Sequence, residues 1–163
     1  MANMSDAFGN ITIYAASVDV LIDLIQCHLK YEEGAYYSTS LDLFENVSPE
    51  NRGEIIKIVE KNYELDSTTH DAVLVSDFTA TGRWSFKSNI GWFFGCLTED
   101  YSKHPNIDEA QSRAKATDIT VEFDFTDGES GSDFIQDGET SINWDAKNQK
   151  QVENSDTTET VSY

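Results

Sequence analysis

The chain has 163 residues and a mass of 18.3 kDa, the size of one domain, and its 39% hydrophobic and 12% aromatic content is enough for a core, which excludes disorder throughout. Thirty Asp and Glu against eleven Lys and Arg leave a formal charge of -19 and a pI near 4.2. A surface this negative disfavours direct contact with nucleic acid or anionic lipid. No apolar run is long enough for a membrane helix, and Met1 to Asp6 lacks the basic start and apolar stretch of a signal peptide, so the expected compartment is the cytoplasm.

In chain order, Ile11, Ile13 and Ala15 alternate with polar residues and predict a short strand. Ser17 is a helix cap, with Asp19 in the first turn, Lys30 near the end and Gly34 just beyond it. The stripe Val18, Leu21, Ile22, Ile25 and Leu29 is widened by Val20, Leu24, Cys27 and Tyr31, which predicts a helix packed on more than one side. A second strand is expected over 35–44, and Ser48-Pro49 predicts a helix start with Ile55, Ile56, Val59 and Tyr63 as its buried stripe. Residues 71–81 read as a β-branched strand. Ser88 then caps a helix whose face is Ile90, Phe93, Phe94, Leu97 and Tyr101. A short exposed helix is expected over 106–116.

The last third changes character. Ile119, Val121, Phe123 and Phe125 alternate with Thr120, Glu122, Asp124 and Thr126, a strand with one dry and one acidic face. Asp127 to Gly131 and Asp137-Gly138 read as turns, Phe134-Ile135 as the start of a returning strand, and Ile142 with Trp144 as further alternation. Residues 1–147 are expected to form a single domain whose acidic hairpin region spans 118–147, and 148–163 a polar, mobile tail. The fold class that follows is α+β: an antiparallel or mixed sheet with helices on one face, as a ferredoxin-like core with an inserted helix.

Chemistry-bearing patterns are sparse. His28, His70 and His104 are isolated, and no nucleophile elbow, phosphate loop or dinucleotide fingerprint occurs. The segment from Asp124 to Asp133 lacks the residue order of a calcium-binding EF-hand loop. Cys27 and Cys96 lie in separate predicted helices and read as reduced, buried residues. The expectation is a protein that is not an enzyme, with no catalytic residues, no metal and no cofactor.

The placement of charge carries more information. Residues 118–163 hold twelve acids against Lys147 and Lys150, a net -10 over 46 residues, whereas the preceding 117 residues carry -9. Alternate residues on a strand are about 6.8 Å apart, so Glu122 and Asp124 present charge at a spacing of the order of successive phosphates. Such a surface fits the Lys- and Arg-lined groove of a protein that binds DNA or RNA. The expected partner contacts are Glu122, Asp124, Asp127, Glu129, Asp133, Asp137 and Glu139, with Phe134 and Tyr163 as apolar anchors at the edge and Trp144 either a third anchor or, as the favoured reading, a core residue.

In size, acidity and acidic terminal hairpin the chain resembles the small phage and mobile-element inhibitors of restriction and CRISPR nucleases, several of which imitate DNA. Met1-Ala2-Asn3, the strand at Ile11–Ala15, Gly82-Arg83-Trp84-Ser85-Phe86 before a helix, and the late hairpin with Trp144 are similar to YubB-like ferredoxin-like proteins, although Met4-Ser5 stands where a Trp-Cys pair is expected. The resemblance implies an anti-CRISPR or anti-restriction inhibitor whose partner is a basic nuclease or effector complex. An immunity protein against a basic toxin nuclease is the alternative within the same chemistry. A homo-oligomeric adaptor assembling through the first helix is the alternative outside it.

Overall fold

A computed structural model describes residues 4–35, 38–83, 90–129, 135–153 and 158–162. It begins with strand β1 (Met4–Ala15), helix α1 (Val18–Gly34), strand β2 (Ser38–Leu41), a 3-10 turn (Asp42–Phe44) and helix α2 (Arg52–Asn62). Strands β3 (Glu64–Leu65) and β4 (Ala72–Arg83) follow, then a 3-10 segment (Ile90–Leu97) and helix α3 (Pro105–Ala114). Strands β5 (Ile119–Glu129), β6 (Ile135–Asp145), β7 (Lys150–Glu153) and β8 (Thr158–Ser162) complete the chain.

All eight strands join one antiparallel sheet. Its centre is four long strands in the order β4-β1-β5-β6. Short strands line both outer edges, β2 and β3 along β4, and β7 and β8 along β6. Short pieces in place of a long free edge limit pairing with other chains.

The fold is therefore α+β with an antiparallel sheet and its helices on one face. The connectivity of β1, α1, β2, β4, α3 and β5, in the sheet order β2-β4-β1-β5, is the expected ferredoxin-like core with an inserted helix. In that core each β-α-β crossover joins two parallel strands with an antiparallel strand between them: β1 and β2 both run antiparallel to β4, which lies between them, and β4 and β5 both run antiparallel to β1. Helix α2 and the short β3 are inserted between β2 and β4, and β6, β7 and β8 extend the sheet beyond β5.

Period-two alternation divides the sheet cleanly. Ile11, Ile13, Leu74, Phe78, Val121, Phe123, Phe125, Ile142 and Trp144 all point to one side and are buried. Phe78 and Phe93 both meet Phe123 edge-on, and Phe94 lies against Trp144. Helix α1 lies over this side, capped by Ser17, whose hydroxyl accepts the Val20 N–H at 3.3 Å. Every residue from Val20 to His28 is buried, because α2, α3 and the 3-10 segment wrap the surface that the sheet leaves uncovered. The breadth of its apolar stripe is thus used inside the chain.

Buried polar side chains fasten these layers. Asp23 on α1 receives a two-pronged pair from Arg113 of α3, both contacts at 3.0 Å, and a further contact at 2.8 Å from Arg52 of α2. Gln111 of α3 donates to the carbonyls of Cys96 and Glu99. Cys27 and Cys96 are buried free thiols, as the sequence predicts, and burial pushes Cys27 up to about 12.

Several elements differ from expectation. Helix α2 begins after Asn51, whose Oδ1 accepts the Glu54 N–H at 3.2 Å, and not at Ser48-Pro49. The Pro49 carbonyl is taken by Gln26 at 2.9 Å, which ties that turn to α1 instead of releasing it into a helix. Asp137-Gly138 is mid-strand, not a turn. Gly138 lies opposite the bulky Phe125, on the covered side. Asp127 to Glu129 likewise continue β5 where a turn was expected. Helix α3 is half covered, with Ile107, Ala110, Gln111 and Ala114 buried. The segment expected as a polar tail supplies β7 and β8, both paired to β6. The expected Ser88 cap and the Trp84 of the Gly82–Phe86 segment lie outside the described residues.

Candidate acidic sheet face

None of the described helices lies on the second side of the sheet. On the four central strands its described side chains are Asp6, Phe8, Asn10, Thr12 and Tyr14 of β1, and Val73, Val75, Asp77, Thr79 and Thr81 of β4. From β5 come Thr120, Glu122, Asp124 and Thr126, and from β6 Ile135, Asp137, Glu139, Ser141, Asn143 and Asp145. Seven are carboxylates, and none of the described ones is Lys, Arg or His.

The register aligns these acids. Asn10 is paired with Asp77 on one side and Asp124 on the other, and Asp124 with Glu139, so one row crosses four strands as Asp77, Asn10, Asp124 and Glu139. Neighbouring strands are about 4.8 Å apart, which places Asp124 and Glu139 directly side by side. Glu122 adds a carboxylate in the next row, where it accepts from the Tyr14 hydroxyl at 3.2 Å. Desolvation, and then the charge of Glu122, raise the Tyr14 phenol above its usual range, so it stays a neutral donor. Asp137, one row further the other way, accepts from Thr126 Oγ1 at 2.6 Å. Between them is a shallow depression of about 580 Å³ lined by Asn10, Thr12, Val75, Glu122, Asp124 and Glu139 among others.

Of the seven residues expected to meet a partner, Glu122, Asp124, Asp137 and Glu139 share this exposed face. Asp127 does not. It lies three residues beyond Asp124, an odd step that turns it to the covered side, and it is fully buried. It is therefore removed from the surface set. Glu129 ends β5 opposite Ser5, and its side chain is outside the described set. Asp133, Phe134 and Tyr163 lie outside the described residues. Trp144 is a core residue, its Nε1–H donating to the Lys115 carbonyl at 2.9 Å, so it is unavailable as an edge anchor.

Sequence reasoning missed Asp6, Phe8 and Asp77. The signal was present, since Asp6, Phe8, Asn10 and Thr12 alternate with Ala7, Ile11 and Ile13, but Gly9 interrupts the apolar set and conceals the first half of β1. Gly9 has φ +155°, and a Cβ there would collide with the Asp124 carbonyl oxygen. Glycine is thus what lets β1 approach β5 under the acidic row.

A separate cavity of about 750 Å³ lies between α1 and residues 38–49 and contains two perturbed groups, His28 and Glu32. Burial pulls His28 down to about 4 and pushes Glu32 up to about 7. Perturbed groups in a cavity are the usual mark of a reactive site, but both are engaged by one backbone unit. His28 Nε2–H donates to the Thr39 carbonyl at 2.7 Å, and Thr39 N–H donates to Glu32 Oε1 at 2.9 Å. The pair pins the start of β2 to α1. Among the described residues no three His, Cys, Asp or Glu side chains converge as a metal-binding set, and no helix is long and apolar enough to cross a membrane.

Comparison with protein families, curated proteins and solved structures finds no match, so the functional reading rests on the chemistry of the acidic face.

Proposed function

We propose that the protein is a non-enzymatic inhibitor that occupies the basic nucleic-acid-binding surface of a defence nuclease, of the anti-CRISPR or anti-restriction type. The observation that carries this reading is the row Asp77, Asp124 and Glu139, flanked by Glu122 and Asp137, on the sheet side away from the described helices. Like charges placed directly across strands destabilise a sheet. Solubility needs only scattered charge, whereas an aligned array complements a Lys- and Arg-lined groove, speeds encounter and excludes DNA or RNA by occupying its place. The immunity alternative uses the same face and differs in having one cognate toxin.

The test is a titration of the protein into cleavage reactions of a panel of restriction and RNA-guided nucleases, at low and raised salt. Inhibition should be relieved by salt and by excess DNA. The double variant Glu122→Lys, Asp124→Lys should lose inhibition while keeping its circular dichroism spectrum. Undiminished inhibition by that variant would sink the charge-mimicry mechanism. Rescue of cells from a single toxin nuclease, with no effect on the panel, would replace it by the immunity reading.

A further inference from the structure

Phe8 is 59% exposed in the middle of β1, and charge mimicry alone makes no use of it. A lone surface phenylalanine is ordinary; its surroundings here are not. Thr79 and Thr126 stand directly opposite it on β4 and β5, Asp77 and Asp124 take the diagonals, and Asp6 is two residues back on its own strand. Diagonal positions are about 7–8 Å apart, within reach of a long side chain lying across them. Three carboxylates thus surround an open aromatic ring, and none of the described side chains on this face of the central strands brings a cation to it.

We propose that Phe8 is the platform for an arginine of the basic partner protein, the guanidinium stacking on the ring while Asp6, Asp77 and Asp124 accept its N–H groups. This rests on the reading of the open face as the binding surface, and adds that the face selects arginine over lysine. A guanidinium is planar, weakly hydrated and able to stack while its edge donates hydrogen bonds; an ammonium is a compact, strongly hydrated point charge. Charge decides the occupant. A second copy of the chain would set acids against acids across a two-fold axis, and an apolar partner would bury carboxylates without compensation.

Octa-arginine and octa-lysine peptides are the probes, with binding to the full chain followed by fluorescence anisotropy at about 50 and about 200 mM salt. Octa-arginine should bind about fivefold more tightly. Phe8→Leu, which keeps an apolar side chain but removes the π face, should erase that preference by weakening the arginine peptide alone, with the salt dependence unchanged. Phe8→Tyr should retain it. Equal binding of both peptides to the wild type, a preference that survives Phe8→Leu, or equal weakening of both peptides would overturn the arginine platform and leave the open-face reading standing. Failure of both peptides to bind at low salt would overturn the two together. A concentration-dependent dimer that Phe8→Leu abolishes would assign the platform to a second copy and overturn the proposed partner.

Discussion

Phe123 and Asp124 are consecutive in β5 and belong to opposite worlds. Phe123 is enclosed beneath Phe78 and Phe93, while Asp124 stands in the open between Asn10 and Glu139. One side of the sheet is selected for volume and the other for charge, and the same backbone serves both. Stability and recognition are therefore separable here by residue parity alone. Phe123→Ala should cost about 4 kcal/mol from lost burial and an unfilled cavity. Asp124→Ala should stay within about 0.5 kcal/mol of the wild type while weakening association with a basic partner. Urea denaturation of the two variants, with binding measured on the same samples, checks the division. A large stability loss at Asp124 would undo it.

Gly9 is where the two sides are mechanically coupled. Its positive φ and the crowding of its Cα position against the Asp124 carbonyl set how closely β1 and β5 approach. Gly9→Ala combines backbone strain with a clash against main chain and should cost about 3 kcal/mol. Because the contact is with the Asp124 backbone, the variant should also disturb the acidic row. Denaturation midpoints give the first effect, and amide chemical shifts at Asn10, Asp124 and Glu139 give the second. A stability change without shifts at those amides would show that the row is fixed independently of Gly9.

The sequence announces some of this architecture and hides the rest for identifiable reasons. Helix α1 and strand β5 are legible because long stretches keep one period, 3.6 or 2, without interruption. The first half of β1 is hidden by Gly9, which leaves a gap in the apolar series. The start of α2 is misread because Ser48-Pro49 carries a capping signal whose Pro49 carbonyl is claimed by Gln26, 23 residues away. Strands β7 and β8 have little apolar content, and their order comes from pairing to β6, which no local pattern encodes. The acidic face was legible as a concentration of charge in the last third. Its membership was not, since Asp6 and Asp77 reach it from distant strands through register, and Asp127 leaves it by one odd step along β5.

A pH-dependent effect lies on the covered side, at the pair that fastens β2 to α1, and it probes the contrast through charge. Glu32 is raised to about 7 because burial penalises its carboxylate, so folding favours its protonated form. That contribution is fully present below the unfolded carboxyl range, near 4.5, and is lost as pH rises through about 7. In the Glu32→Gln variant the side chain carries no charge at any pH, and its amide oxygen can still accept the Thr39 N–H. The difference in stability between Glu32→Gln and wild type should therefore be negligible below about pH 4.5 and grow in favour of the variant up to about pH 7. Comparing the two proteins at each pH cancels what they share, including the relief of self-repulsion in an acidic chain and the opposing response of His28. His28 is neutral when folded, so it loses stability as pH falls through its unfolded value of 6.5 toward about 4. Guanidinium titrations at steps between pH 4 and pH 8 read the difference directly. A pH-independent gap would mean that Glu32 is held by packing and by Thr39, with its charge costing nothing.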